Sequence, residues 1–128
     1  QDIIYLLGKV IGSYDSKIYG RGVGLPLGNL TSQLLANVYM NVFDQWIKHK
    51  LKVKSYLRYA DDFAVLSDDK KYLENLLPKI QQFLSKELKL VLHPDKVSIK
   101  TMYSGVDYLG WVHFPDHRVL RHTTKRKF

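Results

Sequence analysis

The chain has 128 residues and a mass of 14.9 kDa, enough for one domain or part of one, and 45% hydrophobic residues suffice for a core. Lys and Arg number 20 against 12 Asp and Glu, a net charge of +8 with a pI near 9.6; this favours a polyanionic partner, nucleic acid before a membrane surface, since no run approaches the ~20 apolar residues of a spanning helix. The absence of cysteine excludes disulfides and thiolate metal sites and accords with a cytoplasmic setting.

Asp2 to Ile11 carries Ile3, Ile4, Leu7 and Ile11 at helical spacing, and Gly12 can end that helix. From Gly12 to Gly28 glycine accumulates around Pro26, predicting a loop or short hairpin. A second helix is predicted from about Thr31 to His49. Its stripe of Leu34, Leu35, Val38, Tyr39, Val42, Phe43, Trp46 and Ile47 is broad enough to expect burial on more than one side.

Period-two texture from Val53 to Ser67 predicts a hairpin that turns at Tyr59-Ala60-Asp61-Asp62. Asp-Asp is ordinary turn chemistry, because both residues bond their own backbone and tolerate unusual dihedrals. The flanks argue for more: Tyr59 precedes the acids and the apolar run Phe63-Ala64-Val65-Leu66 follows them, so a buried exit strand is expected with the acids at the edge of a core. Two carboxylates about 4 Å apart repel by about 4 kcal/mol at an intermediate dielectric. A divalent cation removes that cost, and hard oxygen ligands suit Mg²⁺, with Mn²⁺ as an alternative.

Asp68 or Asp69 can cap a third helix to about Leu88, with Leu73, Leu76, Leu77, Ile80, Phe83, Leu84 and Leu88 on one face. Pro78 lies inside it, where proline kinks or splits a helix. Short strands are predicted at Leu90–Leu92 and Val97–Met102. A final hairpin should pair Val106–Phe114 with Arg118–Arg121 across Pro115-Asp116-His117, ahead of a basic tail from His122. The five histidines show no zinc-ligand spacing. Helices and hairpins in this order predict an α+β fold, with helices packed on one face of an antiparallel sheet and a small C-terminal hairpin.

Four motifs in order, Gly24-Leu25-Pro26-Leu27-Gly28-Asn29-Leu30-Thr31-Ser32-Gln33, Tyr59-Ala60-Asp61-Asp62, Leu92-His93-Pro94-Asp95-Lys96 and Tyr108-Leu109-Gly110-Trp111, together resemble the palm portion of reverse transcriptases. The likeness runs from about Leu7 to Trp111 and is strongest to the enzymes of diversity-generating retroelements and related bacterial lineages. It implies an RNA-directed DNA polymerase that extends a DNA or RNA primer on an RNA template with deoxynucleoside triphosphates. Asp61 and Asp62 would hold the metal ions, with Tyr59 near the primer end. Pro26, Gly28, Asn29, Ser32 and Gln33 would lie against template and nucleotide, although by themselves they describe an ordinary capped helix. The resemblance makes Lys96 a proton donor to the leaving pyrophosphate and Gly110 with Trp111 a grip on the primer backbone. Without it, Lys96 is a solvated lysine and the Trp111 ring a packing element.

Two basic stretches, Lys48 to Lys54 and Arg118 to Lys127, suit a nucleic-acid face, and Lys48 to Lys54 suits equally a charged edge that blocks aggregation. The resemblance also implies a third carboxylate at the end of a strand ahead of the Gly-x-Pro segment. Neither Asp2 nor Asp15 has an apolar strand before it, and Gln1 stands in place of an initiator methionine. The expectation is a single partial domain that starts after the first catalytic aspartate, without fingers or thumb, inactive and weak in metal binding by itself. Two other classes compete: a palm-like nucleotide cyclase, which needs no primer-gripping segment, and a non-catalytic nucleic-acid-binding module with a polymerase-like fold.

Overall fold

The computed structural model describes residues 2–12, 15–16, 20–21 and 30–125. Helices and small antiparallel sheets alternate along it, an α+β fold as expected. The chain forms two compact units, Gln1–Lys52 with Tyr59–Asp61, and Val53–Arg58 with Asp62–Phe128.

In the first unit, α1 (Asp2–Gly12) is followed by a short hairpin of β1 (Asp15–Ser16) and β2 (Gly20–Arg21), with Asp15 opposite Arg21 and Ser16 opposite Gly20. Helix α2 (Leu30–Gln45) passes into a single π turn, Trp46–Lys50, which the Leu51 amide closes on the Trp46 carbonyl at 3.1 Å. Met40, Phe43 and Ile47 form one buried stripe, and the Phe43 and Trp46 rings stack with centroids 6.1 Å apart. The expectation that α2 is buried on more than one side fails. Leu30, Leu34, Val38 and Val42 recur every fourth residue on an exposed face, where Val38 is 64% accessible. Periodicity identifies an apolar side chain's direction but not whether a neighbour covers it. On α1, Ile3, Ile4 and Leu6 are exposed in the same way.

In the second unit, α3 (Lys70–Leu88) begins where expected, the Asp69 carboxylate accepting the Tyr72 amide at 3.1 Å. Leu76, Ile80, Leu84 and Leu88 are buried at four-residue spacing, each worth about 2 kcal/mol on the scale of a fully buried aliphatic side chain. The helix runs unbroken through Pro78. Pro78 and Glu74 are both exposed, so water can serve the Glu74 carbonyl that the missing proline N–H leaves unpaired within the helix. At the other end Lys89 takes a left-handed conformation (φ 52°), its amide reaching the Leu84 carbonyl and its ammonium the Lys86 carbonyl at 2.9 Å.

The strands predicted at Leu90–Leu92 and Val97–Met102 do not form. Turns of 3-10 helix at Pro94–Lys96 and Met102–Ser104 interrupt that stretch, the first set by Pro94 at its opening position. The C-terminal element has three strands where a two-stranded hairpin is predicted: β5 (Val106–Tyr108), β6 (Trp111–His113) and β7 (Arg118–Leu120), all antiparallel. Leu109 (φ 52°) and Gly110 (φ 82°) make the extra reversal, both in the left-handed region that a two-residue type I′ connection requires. The turn before β7 is closed by the Phe114 amide on the His117 carbonyl at 2.9 Å, with the two rings stacked 4.7 Å apart. A one-turn helix, α4 (His122–Lys125), follows.

Candidate active site

Strand β3 (Ser55–Tyr59) and strand β4 (Asp62–Leu66) pair through a two-residue connection, Ala60-Asp61. Ala60 lies at φ 52°, a left-handed value that a two-residue hairpin demands and that costs a non-glycine residue about 1 kcal/mol. The reversal sets Asp61 in the turn and Asp62 at the first position of β4. Both are exposed, and no hydrogen bond or ion pair of either carboxylate occurs among the described residues. Behind Asp62 the exit strand is only partly covered: Phe63, Ala64 and Val65 are half-buried and Leu66 is 44% exposed. The expectation of a buried exit is therefore corrected. A lone two-stranded hairpin has two faces and few neighbours, and apolar composition alone does not supply a cover.

Tyr108 connects this hairpin to the C-terminal sheet within the second unit, its hydroxyl donating to the backbone carbonyl of Asp62 at 3.4 Å. Sequence reasoning leaves Tyr108 without a role of its own; the only signal is its place beside Leu109-Gly110-Trp111. On the same sheet the Arg118 guanidinium lies 4.8 Å above the Trp111 ring, so one face of that indole carries a cation. Arg121 donates from Nε (2.9 Å) and Nη2 (2.6 Å) to Asp107 Oδ1, while its amide bonds the Gly110 carbonyl at 3.0 Å. The Leu109-Gly110 reversal is thereby held from the residue that follows β7.

The other candidate residues are more scattered. Lys96 ends the exposed 3-10 turn Pro94–Lys96, and its ammonium makes no ion pair among the described residues. Ser32, half-buried, and Gln33, exposed, occupy the opening of α2. Tyr59 is 59% exposed at the end of β3. Pro26, Gly28 and Asn29 lie outside the described residues.

The donor chemistry of Asp61 and Asp62 fits a hard divalent cation, for which two carboxylates are a common protein contribution, with water and phosphate oxygens completing the shell. They are two carboxylates and not a full ligand set: no group of three His, Cys, Asp or Glu residues able to hold a metal occurs among the described residues. No described helix is long and apolar enough to cross a membrane.

A strand, a tight turn on paired acids and a returning strand are thus set in an α+β chain. The family model for reverse transcriptase (RNA-dependent DNA polymerase) matches residues 4–113, and the chain belongs to that family. Among curated proteins, Protein YkfC of Escherichia coli (strain K12) is 26% identical over 130 residues, covering 77% of this chain and 32% of YkfC. The chain thus spans about a third of the length of that relative.

Proposed function

We propose that this chain carries part of the active centre of an RNA-directed DNA polymerase, in which Asp61 and Asp62 hold Mg²⁺, or Mn²⁺ in its place, beside the end of a primer. The reading rests on one observation: two adjacent, exposed carboxylates at a two-residue reversal inside the family match. In the whole protein the primer 3′-hydroxyl attacks the α-phosphate of a deoxynucleoside triphosphate on an RNA template, and pyrophosphate leaves. Bound metal would supply charge neutralisation at the phosphate and a more acidic hydroxyl. Asp61 and Asp62 contribute negative charge at one end of the hairpin, because the two-residue reversal sets them side by side. Tyr59 flanks the primer end, Lys96 supplies a proton toward the leaving pyrophosphate, and Gly110 with Trp111 bears on the primer backbone. Pro26, Gly28, Asn29, Ser32 and Gln33 serve template and incoming nucleotide. The cytoplasm is the proposed site of action.

The two-carboxylate set also supports a proposal about the isolated chain as a single partial domain: it does not extend a primer, and it binds Mg²⁺ more weakly than micromolar. Primer extension with a longer protein that contains this segment tests the reading. Asp61→Asn and Asp62→Asn should each reduce incorporation at least a hundredfold, on the scale of losing a charge-stabilising group at a reacting phosphate. Unchanged activity in both variants would remove the catalytic role of the two acids, and no extension by the parent protein would leave a nucleic-acid-binding module as the better account.

A further inference from the structure

Asp62 opens a strand with little cover. A two-stranded hairpin is marginal in water by itself, and β4 leaves Phe63, Ala64 and Val65 half-buried and Leu66 exposed. The rings of Tyr56 and Phe63 meet across the hairpin at a tilt, with centroids 6.4 Å apart. A carboxylate at the first position of such a strand holds its place better if the strand is tied to a firmer element.

Within the second unit that element is the three-stranded sheet. Tyr108 ends β5 and pairs with Trp111 across the Leu109-Gly110 reversal, and Trp111 pairs in turn with Leu120 of β7. Next to Tyr108, Asp107 accepts both bonds of the Arg121 guanidinium, and the Gly110 carbonyl accepts the Arg121 amide. The Tyr108 backbone is therefore braced on both sides, its side chain is half-buried, and its hydroxyl reaches the Asp62 carbonyl at 3.4 Å. The acceptor is a main-chain oxygen, so the contact orients the strand and leaves the Asp62 carboxylate available to a cation. It also selects tyrosine, since phenylalanine offers a similar ring and no donor.

We propose that Tyr108 is a positioning residue for Asp62: its hydroxyl, carried on the braced end of β5, fixes the start of β4 through the Asp62 carbonyl and so sets where the Asp62 carboxylate meets a divalent cation. This rests on the polymerase reading of Asp62 and adds to it the residue that holds that acid in place.

Primer extension by a longer protein that contains this segment tests it through Tyr108→Phe. Its kcat should fall about threefold to fivefold, the range that one long hydrogen bond supports. The Mg²⁺ concentration for half-maximal rate should rise by a similar factor, while KM for the primer–template stays that of the parent. Tyr103→Phe, which removes a hydroxyl from an exposed ring on the turn before β5, should leave all three constants unchanged. Parent-like kcat and Mg²⁺ dependence in Tyr108→Phe would overturn the proposal. So would a raised KM for primer–template with the Mg²⁺ dependence intact, which would make the hydroxyl a primer contact. Asp62→Asn measured alongside distinguishes the two levels: full activity in that variant removes the role of the acid and the proposal with it, whereas loss in Asp62→Asn with none in Tyr108→Phe removes Tyr108 alone. In the full chain, carbonyl-carbon NMR reads the contact without activity. Tyr108→Phe should move the Asp62 carbonyl resonance upfield and leave those of β7 in place. An unmoved Asp62 carbonyl would overturn the proposal, and so would changes spread across the sheet, which would make packing of the ring the role of Tyr108.

Discussion

Gly105 carries a heavy local constraint. Its φ of 80° lies where L side chains are rarely found, and a Cβ built on it would come within 2.7 Å of Val112 Cγ1 and 3.0 Å of Phe114 Cζ. Replacement by alanine therefore combines backbone strain with overpacking against β6, and Gly105→Ala should lower stability by about 2 to 3 kcal/mol in a denaturant titration. At the other turn of the same sheet, the His117 ring nitrogen lies 2.8 Å from Asp116 Oδ1, and that hydrogen bond holds the Asp116 carboxyl below its ordinary value of 3.8. A folded value below the unfolded one means that whatever stability the pair adds is fully present above the unfolded value and is lost as pH falls through the lowered one. His117→Ala should return the Asp116 titration upward toward 3.8, read by the carboxyl carbon chemical shift in NMR. The acid pair at 61 and 62 was legible because adjacent charges are conspicuous in an apolar setting. Tyr108 was not, since a tyrosine's hydroxyl partner 46 positions away leaves no trace in local pattern.

Helix α3 shows what an element owes to its ends. Asp69→Ala removes the acceptor of the Tyr72 amide and should cost about 1 kcal/mol. Lys89→Gly should instead gain about 0.5 kcal/mol, because the left-handed penalty on lysine outweighs glycine's extra unfolded-state entropy. Thermal melts of the two variants should thus move in opposite directions. This helix was readable from its cap, its four-residue apolar spacing and its length, signals carried within the element. The strands predicted at Leu90–Leu92 and Val97–Met102 fail because short apolar runs suit strand or irregular chain equally well, and the outcome depends on a partner edge. Pro94 opens a turn there. The C-terminal meander was half-seen: a turn at Pro115-Asp116-His117 has strong chemistry, whereas Leu109 is a poor advertisement for positive φ.

For the whole molecule, the order of helical and hairpin patterns correctly indicates an α+β chain and composition a basic excess, yet neither says which apolar faces are covered. Leu30, Leu34, Val38 and Val42 remain accessible on α2, as do Ile3, Ile4 and Leu6 on α1. These greasy rows coexist with a charge of +8, so in dilute buffer like-charged copies stay apart. Raising NaCl from about 0.1 M to 1 M shortens the screening distance from about 10 Å to 3 Å and removes that barrier. Static light scattering should then report a second virial coefficient that turns negative and, at higher protein concentration, turbidity. Val38→Lys together with Leu34→Lys should keep the solution clear, making the colloidal behaviour of this chain a direct readout of one uncovered helix.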